Sequence, residues 1–136
     1  MHIVFTNHSA MLARTISNRH LSTIMTTPLG PVGSSILTKL QTTLNPTVCI
    51  VTNDSHKHSV PKGSETHFKV VCVSDLFEGK TLIERHRLIN NALDEEFKRK
   101  GLHALSIMAK TPEQWEKNNF IPDSPNCRGG SKKAQF

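Results

Sequence analysis

Two β-branched, apolar runs, residues 47–52 and 66–74, are separated by the polar stretch 53–65, and that spacing constrains the fold more than any other feature of the chain. Each run has the length and composition of a strand. The connection between them is rich in Asp, Ser, Pro and Gly and is too long for a tight hairpin turn. It must ride on the surface, where loops often carry function. Around this pair the apolar period changes to that of helices. Ile36, Leu37, Leu40 and Leu44 fall on one face of a helix predicted over 34–44, set off by Pro28, Gly30, Pro31 and Gly33 and stopped by Asn45-Pro46.

Downstream, residues 81–93 read as a helix with Leu82, His86, Ile89 and Leu93 on one stripe and Arg85 and Arg87 to either side. Asp94, Glu95 and Glu96 suit the positive end of a second, shorter helix, Lys98 to Lys100 suit its negative end, and Gly101 terminates it. A third strand is predicted over 103–109, with His103, Leu105 and Ile107 on one face. Thr111 then caps a last short helix with Pro112 at its first position and Trp115 within it. The order is helix, strand, strand, helix, helix, strand, helix, an α+β pattern without internal repeats.

At 136 residues the chain has room for one domain with tails. No apolar run approaches the length of a membrane-spanning helix, so a soluble protein is expected. The formal charge is +6, but residues 31–117 hold 12 Lys/Arg against 10 Asp/Glu, so most of the excess lies in the tails. A basic phosphate-binding groove is not demanded by such a core. Three cysteines, Cys49, Cys72 and Cys127, argue against a disulfide framework and for a reducing compartment. Cys49 and Cys72 sit in strand-like runs and read as small buried hydrophobes; Cys127 lies in a Pro/Gly-rich tail and has no assigned role.

No acidic residue precedes Asp54, and residues 1–27 are rich in Ser, Thr, Asn and His with Arg14 and Arg19. This composition is that of a mitochondrial targeting segment, drawn by its positive charge toward an anionic membrane and an inside-negative potential. Arg19-His20-Leu21-Ser22 is similar to a processing site. The expected division is a targeting or disordered segment over 1–30, a folded domain over 31–117 and a flexible tail over 118–136, with Met11 and Met25 as internal starts for a minor cytosolic form.

The sequence contains no nucleophile elbow, phosphate loop, Cys-x-x-Cys or His-Glu-x-x-His arrangement, so a binding protein is expected and not an enzyme. A thiol peroxidase would need an activated Cys, and neither strand Cys has an evident activating neighbour. What remains is metal ligation by imidazole, which can replace Cys on one iron of an iron–sulfur centre.

Three strings point to one family. They are Ser55-His56-Lys57-His58-Ser59-Val60-Pro61-Lys62-Gly63-Ser64-Glu65-Thr66-His67-Phe68, Phe77-Glu78-Gly79-Lys80-Thr81-Leu82-Ile83-Glu84-Arg85-His86-Arg87-Leu88, and His103-Ala104-Leu105-Ser106-Ile107 followed by Thr111-Pro112-Glu113-Gln114-Trp115. From about Val32 to Lys117 the chain resembles the BolA family, and Ser124-Pro125-Asn126-Cys127-Arg128-Gly129-Gly130 resembles the end of several members. The resemblance implies a single BolA-type domain, a three-stranded mixed sheet with helices packed on it, related to the class II KH fold. It also implies an iron–sulfur assembly adaptor that pairs with a monothiol glutaredoxin and shares a 2Fe-2S cluster, with glutathione supplied through that partner.

By the same resemblance His103 corresponds to the family's strand-end metal ligand and His58 to the loop ligand of the mitochondrial branch, where the cytosolic branch tends to carry Cys. His56, two residues away, is an alternative to His58. His67 and His86 read as structural, and Arg85 and Arg87 as candidates for contact with the partner or its glutathione, the alternative being a solvated face. The competing function is a nucleic-acid-binding transcriptional regulator, suggested by the helix-turn-helix character of residues 81–100 and the KH relation. The near-neutral core and the lack of a Gly-x-x-Gly loop between two helices count against it.

Overall fold

The computed structural model describes residues 28–124. The first helix, α1, spans Pro31–Leu44 and so begins three residues before the start at residue 34 that its sequence pattern predicts. Pro31 suits that position because its fixed φ is already helical and it has no N–H to leave unpaired. The capping group comes from far along the chain: the Glu65 carboxylate accepts from the amides of Val32 (3.2 Å) and Gly33 (3.1 Å). Gly30 makes room for it, since a Cβ there would lie 2.5 Å from the Glu65 carboxyl group. Residues 1–27, with the expected targeting segment, and Cys127 lie outside the described residues.

Strand β1 (Val48–Asn53) pairs antiparallel with β2 (His67–Val73), and β3 (Ala104–Lys110) adds parallel to β2, which makes a mixed three-stranded sheet with β2 in the centre. The parallel crossover carries α2 (Leu82–Ala92) and α3 (Asp94–Arg99). Alternation along the strands puts Cys49, Val51, Phe68, Val70, Cys72 and Ala109 on one face. There they form the core with Ile36, Leu40 and Leu44 of α1, Ile89 and Leu93. Lys69 and Lys110 project from the other face. The chain after α4 (Pro112–Lys117) runs along it: Lys110 donates to the carbonyl of Asn118 (2.5 Å), Lys69 to that of Pro122, and Ser124 to the Asp54 carboxylate (2.6 Å).

Two sequence expectations need correction. Leu82, which the sequence pattern puts on the apolar stripe of its helix, is 59% exposed and its neighbour Ile83 64%, both in the first turn of α2, which a Thr81–Glu84 capping box closes. His103, expected within the third strand, precedes β3 and is exposed, whereas Leu105 and Ile107 pack against the core. Glu96 stands in the first turn of α3, as expected, and is fully buried there. It accepts from Ser35 (2.7 Å), Lys39 (3.1 Å) and Lys100 (3.4 Å), tying α3 to α1.

The long connection between β1 and β2 is held from within. Ser55, buried at the start of a 3-10 turn over Ser55–Lys57, accepts through its hydroxyl from the amides of Thr66 and His67, both at 3.0 Å. Asn53 brackets the same loop, accepting from the Ser55 amide (3.0 Å) and donating to the Ser64 carbonyl (3.0 Å). The Asp54 amide donates to the His67 carbonyl (2.8 Å).

Two outcomes are expected from these contacts. Ser55→Ala leaves two buried amides unpaired and should cost about 1–3 kcal/mol, read by urea unfolding, with faster hydrogen exchange at Thr66 and His67. For Glu96, burial raises the carboxyl pKa, but hydrogen bonds from Ser35 and Lys39 outweigh it and hold the group below its usual range. A depressed carboxyl stabilises the fold above its unfolded value, about 4.3, and that contribution is lost as pH falls through the folded value. Glu96→Gln should therefore destabilise by about 1–3 kcal/mol at neutral pH, and the difference from wild type should close in urea melts at pH 3.

Candidate metal centre

The end of β1, the start of β2 and the residue before β3 meet at one corner of the sheet, and three histidines meet there too. His58 follows the 3-10 turn, its amide bound to the Ser55 carbonyl (3.0 Å) and its own carbonyl to the Val60 amide (2.8 Å). Its ring stacks on that of His67 with centroids 3.9 Å apart and planes 19° from parallel. His67 is the first residue of β2, and its Nδ1 lies 2.8 Å from the Thr66 hydroxyl. The His103 amide donates to the Thr66 carbonyl (2.8 Å), and its ring centroid is 6.4 Å from that of His67. The two expected ligands thus both neighbour the ring of His67.

A cavity of about 230 Å³ opens at this corner, lined by Asp54, His58, His67, Phe68, Leu105 and Ser124 among others. His58 Nδ1 is buried and has no hydrogen-bond partner. Burial lowers the pKa of His67, and the neighbouring His58 and His103 lower it further, which favours the neutral imidazole, the form able to bind a metal. Burial works to raise the Asp54 carboxyl, but hydrogen bonds from Ser124 and Lys57 prevail and keep it below its usual range. The cavity wall therefore carries a negative charge, paired with Lys57 at 3.3 Å.

Among the described residues no group of three or more His, Cys, Asp or Glu is placed to hold a metal ion on its own. The corner offers imidazoles and an orphaned ring nitrogen, and no thiol. Cys49 and Cys72 sit opposite one another in the β1–β2 register, five residues along β2 from His67, or about 16 Å at strand spacing. Both are buried free thiols. Burial pushes Cys49 up to about 11 and Cys72 higher still, with Cys49 adding to the latter, so neither is a ready thiolate. A peroxidase site has no support in such thiols. The donor set suits a metal group whose remaining ligands come from another molecule.

The other candidates lie elsewhere. His56 is exposed and lines a separate depression with Pro28, Asn53, Val60 and Lys62, so nearness in sequence does not bring it to His58. His86 is half-buried on α2 with its Nε2 unpartnered. Arg85 binds within the fold, donating to the carbonyls of Lys80 (3.0 Å) and Ala109 (3.3 Å) and to Gln114 Oε1 (2.7 Å), while Arg87 is exposed. Asp54, His67 and Ser124 line the cavity at this corner, although the sequence does not single them out as candidates. The alternation of His67 with Lys69 places it off the core face, but only the β2–β3 register puts it next to His103.

Residues 40–114 match the family described as BolA-like protein. BolA-like protein 1 of Bos taurus is 50% identical over 107 residues, covering 79% of this chain and 78% of that protein. The DNA-binding transcriptional regulator BolA of Vibrio cholerae is 43% identical over 97 residues, covering 71% and 91%. The solution structure of BolA1 from Mus musculus superposes with a TM-score of 0.65 at 48% identity, covering 74% of this chain and 81% of that one. With over half of its length matched to the family and its mixed sheet shared with a solved relative, the chain belongs to the BolA-like proteins.

Proposed function

We propose that this chain is a mitochondrial iron–sulfur cluster assembly adaptor. It pairs with a monothiol glutaredoxin, shares a glutathione-ligated 2Fe-2S cluster with it, and supports the maturation of client iron–sulfur proteins. The observation that carries this reading is the corner where His58 and His103 flank His67 and His58 Nδ1 is buried without a partner. Binuclear clusters take four ligands, and histidine can serve on one iron. Two imidazoles from this chain and thiolates from glutaredoxin and glutathione would complete such a set. Arg87, exposed on α2, is the freer of the two arginines for contact with the partner or its glutathione. The acid-free segment with Arg14 and Arg19 supports the mitochondrial address.

The bacterial relative described as a DNA-binding transcriptional regulator keeps a second reading open. Phosphate-driven binding weakens steeply with salt. If nucleic acid were the principal partner, the full chain would bind duplex DNA tightly and with sequence preference near physiological salt. We expect only weak, sequence-independent binding that salt abolishes, measured by fluorescence anisotropy across a salt series.

The decisive experiment is anaerobic co-purification with a monothiol glutaredoxin and glutathione, followed by visible absorption and circular dichroism. His103→Ala should abolish the mixed His/Cys spectrum while the heterodimer persists. His58→Ala should leave an altered, more labile cluster, without rescue by His56, which lines another depression. Because iron binds neutral imidazole, cluster lifetime should shorten as pH falls through the range where histidine protonates. A double His58→Ala, His103→Ala variant with an unchanged spectrum and lifetime would remove the basis for this function.

A further inference from the structure

His58 presents a mechanical problem: its Nδ1 is buried without a hydrogen-bond partner, so nothing polar holds that edge of the ring. A ligand whose plane can turn loses much of the geometric advantage of being placed near the metal. The contact available to set the plane is the stack with His67, at 3.9 Å and 19°. Aromatic rings at such a separation attract one another and resist tilting.

His67 is itself anchored on several sides. Its amide donates to Ser55 Oγ (3.0 Å), its carbonyl accepts from the Asp54 amide (2.8 Å), and its ring Nδ1 meets the Thr66 hydroxyl (2.8 Å). Its register partner on β3 is Ala104, next to His103, whose amide is bound to the Thr66 carbonyl. His58 is thus referenced to the Thr66–His67 pair through a ring and His103 through the backbone. The three rings do not converge on one point suited to a metal ion, so a third-ligand role for His67 does not follow from the arrangement.

We infer that His67 is a positioning residue: stacked on His58 and locked at the start of β2, it sets the plane of the His58 imidazole relative to His103. The inference rests on the metal-ligand reading of His58 and His103 but concerns a contact already made in the chain without metal. What the position requires is a flat ring, and the imidazole nitrogens of His67 are secondary. Phenylalanine should therefore preserve the function and alanine should not.

The test uses the full chain, without metal, as wild type, His67→Phe and His67→Ala, with thermal unfolding run alongside to confirm that each variant is folded. Ring-proton resonances of His58 should be displaced by the stacked ring in wild type and in His67→Phe, and should return to the position of an unstacked histidine in His67→Ala. In the complex with a monothiol glutaredoxin and glutathione, the visible circular dichroism of His67→Phe should match wild type. That of His67→Ala should show the altered, labile signature expected of His58→Ala. Unchanged His58 resonances in a folded His67→Ala variant would overturn the positioning role. So would loss of the cluster signature in a His67→Phe variant that keeps the ring displacement, since His67 would then be a ligand. If the wild-type chain assembles no cluster, the adaptor function falls, and the ring resonances alone decide whether His67 orients His58.

Discussion

A hydroxyl buried between two backbone amides turns a long polar connection into a platform. Ser55 accepts from Thr66 and His67 at the point where the chain re-enters the sheet, and the Asp54 amide returns a bond to the His67 carbonyl. Without that knot the closure of a loop of this length would rest mainly on the bonds of Asn53 to Ser55 and Ser64, and His58 would be held less firmly. With it, His58 is tied through the Ser55 carbonyl to the strand that carries His67. The same loop ends at Glu65, whose carboxylate caps α1, so the first helix and the histidine corner depend on one connection.

A second tie of the same kind joins the helical layer. Glu96 is buried, yet three donors from α1 and the end of α3 meet its carboxylate, so its charge is compensated where it sits. A buried acid so paired adds little net stability compared with an apolar residue but is costly to strip of its partners. Both ties are made by short polar side chains reaching across the fold. The apolar core supplies the driving force, and these polar contacts choose which loop and helix geometry that core accepts.

Periodicity revealed the element types and their order, because the change from period 2 to period 3.6 is a local property of the chain. It failed where the deciding contact is distant. The start of α1 depends on Glu65, the burial of Glu96 depends on α1, and the exposure of Leu82 and Ile83 depends on what the rest of the fold packs against α2. The site was legible in the same partial way. Family resemblance singled out His58 and His103, while His67 looked like one more residue of a strand. Its part emerges from register, since the parallel pairing of β2 with β3 puts it opposite Ala104 and so beside His103. Nearness in sequence misled in the case of His56, which a single 3-10 turn directs into a different depression from His58.

Polar accounting separates the corner from the loop that supports it. The side chains of Asn53, Asp54, Ser55 and Ser64 all make hydrogen bonds within the protein. Among the described residues, the buried side-chain nitrogens or oxygens left without a partner are His58 Nδ1 and His86 Nε2. A buried group in that condition costs on the order of 1–3 kcal/mol, and a loop otherwise so fully satisfied could have offered it a donor. At His58 the unpaired atom belongs to an imidazole stacked beside a cavity with an ionised carboxylate in its wall. A ring held in place but left unpaired keeps a nitrogen that no described residue engages, and that restraint, more than the count of histidines, is what supports the proposed ligand role.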